Sequence, residues 1–177
     1  MKMSLRFKVR VPATSANIGV GYDCLGLALD YLLELEVEES DKIEFLENGE
    51  PFSIPIEDNY IFEAIKFTEK HLVKNIPSYK VNIIRNDIPL ARGLGSSSSA
   101  IVAGILIANT FAGNPLSIDK IAELAIKMEG HPDNVVPAIF GGMVLTAHDK
   151  ENIVYSTISD TEELCFYVMI PNFKLST

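Results

Sequence analysis

The chain has 177 residues, 47% of them apolar and 22% charged, the proportions of an ordinary globular protein rather than a disordered one. Acidic residues outnumber basic ones by 24 to 15, for a net charge of −9. Neither a nucleic-acid backbone nor an anionic membrane surface is therefore an expected partner.

The N-terminal MKMSLRFKVRV has no apolar core ahead of a small-residue cleavage site, so no secretion signal is expected. Residues 5–11 alternate apolar and basic side chains and predict a half-buried strand that Pro12 stops. Residues 13–26, ATSANIGVGYDCLG, are rich in small residues and turn formers and predict a long functional loop. Leu33, Leu35 and Val37 then alternate with Glu34, Glu36 and Glu38, and Ser40-Asp41 turns the chain into Ile43 and Phe45. That pattern predicts a hairpin with one acidic, solvated face.

Asn59 is placed as the N-cap of an amphipathic helix carrying Ile61, Phe62, Ile65, Leu72 and Val73. Residues 79–85 predict a strand that leaves through the turn Asn86-Asp87-Ile88-Pro89. Residues 96–111 are apolar nearly all round and predict a buried helix. The longest uninterrupted apolar run, residues 100–108, lies within it and is far shorter than the roughly 20 residues that span a bilayer. Ser117 caps a further expected helix through Met128, with Gly130 as its stop. Strands are then expected at residues 143–147, 153–158 and 164–170. The architecture is α+β in one main domain. Cys24 and Cys165 match no metal or redox spacing, which fits a cytoplasmic protein with two reduced thiols.

Two segments carry chemistry. Residues 89–100, PLARGLGSSSSA, lie between a strand and the buried helix. Gly93 and Gly95 permit close backbone approach, and four serines occupy the first turn, where free N–H groups and the positive helix end face outward. This is an anion site without a lysine, suited to a polyphosphate. It is not a Walker A loop, since no Gly-Lys-Ser/Thr follows, nor the dinucleotide fingerprint, since Ser98 stands at the third glycine. Residues 129–142, EGHPDNVVPAIFGG, supply a glutamate, a histidine, an aspartate and an asparagine beside a helix end. Asp133-Asn134 alone reads equally as a helix cap, and His131 alone as structural. Beside a phosphate loop they offer a carboxylate for Mg²⁺ and a polar group to position a nucleophile.

Together VPATSANIGVGYDCLGLALD, IPLARGLGSSSSAIVAG and EGHPDNVVPAIFGG resemble the three signatures of the GHMP small-molecule kinases, in the right order. The first and third are those of the branch that phosphorylates homoserine. The resemblance implies the family's ribosomal-protein-like N-terminal fold over residues 1–160. The start of a ferredoxin-like C-terminal domain is expected over residues 161–177. It also implies ATP-dependent phosphorylation of the L-homoserine hydroxyl in threonine biosynthesis. On that likeness the ATP phosphates sit on Pro89, Leu90, Ala91, Arg92, Gly93, Leu94, Gly95, Ser96, Ser97, Ser98 and Ser99. Mg²⁺ is held by Ser97 and Glu129. Homoserine contacts Asn17, Asp23 and Asn134; Asn134 positions the attacking hydroxyl, with Asp133 assisting or acting as base. Asn59 is placed near the adenine as well as in its cap.

The first motif lacks the lysine of other branches, and no arginine follows Arg92 to clamp a substrate carboxylate. The expectation is accordingly a fragment with an intact phosphate site and an incomplete amino-acid site. Expected partners are small molecules, not nucleic acid or membrane, and a homodimer stays open. The rival readings are a kinase of another branch, a nucleotide-binding module without turnover, and an RNA-binding module, which the negative charge disfavours.

Overall fold

A computed structural model of the chain describes residues 4–148, 153–158, 164–170, 172 and 173. Among these, seven strands form one sheet: β1 (Arg6–Ala16), β2 (Leu25–Glu39), β3 (Glu44–Glu47), β4 (Glu50–Pro51), β5 (Tyr79–Asn86), β6 (Met143–His148) and β7 (Ile153–Ile158). The helices are α1 (Tyr60–Leu72), α2 (Ser96–Phe111), α3 (Ile118–Glu129) and α4 (Pro132–Phe140). The order β4-β3-β5-β2-β6-β7 is completed by β1, which pairs antiparallel with β2 along most of its length. The opposite edge of β2 is shared, with β5 on residues 33–39 and β6 on residues 25–27.

Period-two alternation decides the two faces of this sheet. Val9, Val11, Ala13, Leu33, Leu35, Val37, Tyr79, Val81 and Ile83 are all buried in the core with the helices. Helices α2 and α4 pack directly on β1, while α1 and α3 pack on α2. Helix α2 is thus surrounded, which explains why its sequence is apolar on every side. The opposite face carries a charge ladder. Arg10 pairs with Glu34 at 2.9 Å, Lys8 and Arg6 with Glu36 at 3.1 Å each, Arg85 with Glu34 at 3.6 Å, and Lys80 with Glu38. Such exposed pairs contribute little stability each, but opposite charges directly across the ladder disfavour a register slip. The acidic face is therefore solvated as expected, and it is also neutralised by its neighbours.

Local signals hold well. Asn59 Oδ1 accepts from the backbone N–H of Ile61 at 2.9 Å and Phe62 at 3.4 Å, capping α1. Ser117 Oγ accepts from Lys120 N–H at the start of α3, and Gly130, in the left-handed region, ends it.

Four expectations are corrected. Pro12 does not stop β1, which runs on to Ala16 through a register shift between Pro12 and Ala13. β1 pairs with β2 alone, and an edge strand at a bulge tolerates a residue that cannot donate. The long loop consequently shrinks to residues 17–24, with its flanks absorbed into β1 and β2. β2 and β3 form no hairpin. α1 is a crossover that brings β5 back parallel to β3, and β5 takes the edge of β2 between them. Finally, residues 164–170 form no strand. They pair with no strand among the described residues, and Tyr167 and Met169 are 93% and 94% exposed. The expected domain boundary after residue 160 falls within residues 159–163, outside the described residues.

Candidate active site

The C-terminal half of β1 organises a cleft. Its free edge is covered by the glycine-rich loop, where Thr14 N–H donates to Leu94 O at 3.2 Å, and by the start of α2, where Ser99 Oγ donates to Pro12 O at 2.8 Å. Gly95 is the N-cap of α2, with φ +64° and no side-chain cap. A Cβ on Gly95 would stand 2.0 Å from Thr14 Oγ1, so only glycine allows the loop this close to β1. The N–H groups at the start of α2 are left for a ligand, at the positive end of a 16-residue helix.

The cleft has a volume of about 740 Å³. It brings together Asn17, Asp23, Leu90, Ala91, Gly93, Leu94, Gly95, Ser96, Ser97, Ser98, Glu129, Asp133 and Asn134 from three separate stretches of chain. Pro89, Arg92 and Ser99, also expected at the phosphates, do not line it. The reason is helical geometry. At about 100° per residue Ser96 and Ser97 face the cleft, while Ser99 turns inward, fully buried, its hydroxyl oxygen lying 2.9 Å from Gly95 O as well. Arg92 points away, its Nη2 lying 3.4 Å from the carbonyl of Asn172.

On one wall Glu129 Oε1 accepts from Ser97 Oγ at 3.1 Å and from Ser98 Oγ at 2.7 Å. A carboxylate and a hydroxyl are hard oxygen donors, and with phosphate oxygens and water they suit Mg²⁺. Among the described residues no group of three or more His, Cys, Asp or Glu side chains could hold a metal by itself. A cation here needs a ligand's oxygens to complete its shell.

α4 begins with Pro132 at its first turn, and Asp133 and Asn134 follow. The pair therefore belongs to the helix itself, whose N-cap is His131 with no side-chain cap bond. Asp133 is buried, and that burial pushes its carboxyl above the ordinary carboxylate range. The charge of His131 opposes the shift, and the carboxylate of Asp23 adds to it. Asn134 accepts at Oδ1 from Thr14 Oγ1, at 2.8 Å. Across the cleft, Asn17 and Asp23 both sit in the left-handed region, and Asp23 N–H donates to Asn17 Oδ1 at 2.9 Å, closing the turn that holds them.

Several contributors have no local signature. Phe52, Ile54, Tyr60, Ile83 and Ile88 make an apolar end of the cleft. Asn59 lies there too. Its Nδ2 is buried without a partner among the described residues, although its Oδ1 is spent on the cap. Thr14 was legible only as part of the first motif, and its bond to Asn134 spans 120 positions.

Residues 59–142 match the family model described as GHMP kinases N terminal domain. The homoserine kinase of Clostridium novyi is 46% identical over 96% of this chain, and that of Deinococcus radiodurans 40% over 97%. The chain spans 57% and 56% of their respective lengths. The crystal structure of homoserine kinase from Cytophaga hutchinsonii superposes with a TM-score of 0.72 at 27% identity, covering 89% of this chain and 53% of that one. The mevalonate kinase of Methanococcus jannaschii has the same fold, with a TM-score of 0.65 at 20% identity, covering 88% and 56%. Over residues 59–142 the chain therefore matches the N-terminal domain of the GHMP kinases.

Proposed function

We propose that this cleft binds ATP with Mg²⁺ and L-homoserine, and that the whole protein phosphorylates the homoserine side-chain hydroxyl in threonine biosynthesis. The observation that carries the reading is that the uncapped start of α2 opens onto the same cleft as Glu129, Asp133 and Asn134. An anion site, a cation-ready carboxylate and a group able to orient a hydroxyl are the parts phosphoryl transfer needs. The identity to homoserine kinases supports homoserine as the substrate.

Mg·ATP supplies the phosphoryl group and neutralises charge on it. The free N–H groups of α2 and the Ser96 hydroxyl receive the phosphates. Ser97 and Glu129 hold the cation; the shared position of their oxygens fits a hard, small ion. The apolar end of the cleft, with the unspent Nδ2 of Asn59, suits the adenine. Asp23, an acceptor, faces the substrate ammonium, and Asn17 sits with it. Asn134 orients the attacking hydroxyl and Asp133 assists. As the hydroxyl oxygen bonds to phosphorus, the bond to the ADP oxygen breaks and the hydroxyl proton passes to a phosphate oxygen. Small molecules in the cytoplasm are the partners of this reading, and nucleic acid and membrane have no part in it; a homodimer is compatible with it.

Phosphorus NMR of the whole protein with Mg·ATP and homoserine tests the reaction. A phosphomonoester signal growing with ADP is the expected result. Transfer to mevalonate but not homoserine would move the protein to another branch, and salt-sensitive RNA binding without transfer would reject the kinase reading. For the division of labour, Asp133→Asn should lower turnover by about tenfold. A fall beyond about a thousandfold would make Asp133 a true base, since removing one costs 10²–10⁴-fold.

A further inference from the structure

Thr14 is fully buried, and the hydrogen bond from its hydroxyl goes to Asn134 Oδ1 at 2.8 Å. An amide has one acceptor end and one donor end. With Oδ1 occupied by the Thr14 proton, the free end that Asn134 turns toward the cleft is Nδ2. Asp133 Oδ1, 3.5 Å from that nitrogen, is also an acceptor and favours the same orientation. We infer that Thr14 is a positioning residue: its hydroxyl fixes the Asn134 side chain so that an N–H, not a carbonyl, meets the nucleophile.

The inference rests on the reaction proposed above and adds a direction to it. An N–H donor holds the oxygen of an attacking hydroxyl through a lone pair and leaves its proton pointing elsewhere. A carbonyl at the same place would instead hold the proton and keep it from the phosphate oxygen that has to receive it. Thr14 is well anchored for this task, because its backbone N–H is tied to Leu94 O and its side chain fills the space that Gly95 leaves vacant. One residue of β1 thus sets the phosphate loop with its backbone and the nucleophile's partner with its side chain.

Thr14→Val keeps the shape and the backbone bond and removes only the hydroxyl; Thr14→Ser restores the hydroxyl. Turnover is measured on the whole protein, and the Asn134 side-chain amide is followed by ¹⁵N NMR, assigned through Asn134→Ser. The expected result is about a tenfold or greater fall in kcat for Thr14→Val, an unchanged KM for ATP, and near-complete recovery in Thr14→Ser. The Asn134 amide resonances should shift or broaden in Thr14→Val and keep their wild-type positions in Thr14→Ser. A Thr14→Val enzyme within about twofold of wild type overturns the inference, as does equal loss in both variants, which would mark a role in packing alone. If the wild type transfers no phosphate to homoserine, the reaction reading falls. The amide spectrum still decides the orientation: unchanged resonances in Thr14→Val reject it.

Discussion

Gly26 of β2 lies directly under the first turn of α4: a Cβ there would come within 1.8 Å of the carbonyl oxygen of Asp133 and 2.8 Å of the Pro137 ring. The helix that carries Asp133 and Asn134 is seated against bare backbone. Its height above the sheet, and so the position of both side chains in the cleft, depends on the absence of one methyl group.

Gly26→Ala should displace α4 and cost roughly 2 kcal/mol or more, the range for overpacking against unyielding backbone. Urea unfolding of wild type and variant measures this directly. A difference under about 0.5 kcal/mol would mean that α4 moves freely.

Asp133 makes stability depend on pH in a direction opposite to that of a salt-bridged carboxylate. Burial raises its folded pKa above the ordinary 3.8, so the unfolded chain releases this proton first. Stability linked to the group is fully present below pH 3.8 and is lost as pH rises through the folded value. Asp133→Asn removes that loss. Its Tm should exceed the wild-type value near neutrality, and the gap should close as the pH is lowered toward 4, about the ordinary Asp value. Thermal melts across that range check it; a lower Tm for the variant at every pH contradicts it.

In the proposed reading Glu129 sits beside both the cation and the phosphates, so its charge should act oppositely on two ligands. Glu129→Gln should weaken binding of Mg·ATP by about tenfold or more, as loss of a hard charged ligand does, and strengthen binding of ATP without metal. Calorimetric titrations with and without Mg²⁺ separate the two effects. Weakening of both alike would indicate a disturbed loop instead.

Tyr79 packs its ring in the core against Phe45 and Phe111, with its phenol oxygen buried and unpartnered among the described residues. Burial pushes the phenol pKa upward, the mark of a poorly solvated hydroxyl. Tyr79→Phe keeps the ring and should be neutral or stabilising by about 1 kcal/mol. A loss of about 1 kcal/mol in denaturant unfolding would show that the hydroxyl has a partner after all.

The sequence by itself determined whatever is encoded within a few residues. The bounds of α2, the caps at Asn59 and Ser117, the stop at Gly130 and the anion-ready loop before Ser96 all rest on contacts one turn long. Asn17, Asp23, Glu129 and Asn134 came as a set from the resemblance of the three motifs, and the fold brings all four to one cleft. Tertiary structure decided the rest. That β5 enters between β2 and β3 follows from the crossover through α1, since β2 could equally have accepted the neighbouring strand. Which serines face the cleft and which face the core depends on the side of α2 that β1 covers. The burial of Asp133 and the bond from Thr14 to Asn134 exist only because Gly26 and Gly95 let α4 and the loop close on the same strands. Hydrogen bonds and desolvation act over a few ångströms, and residues 120 positions apart become neighbours only when the chain has folded.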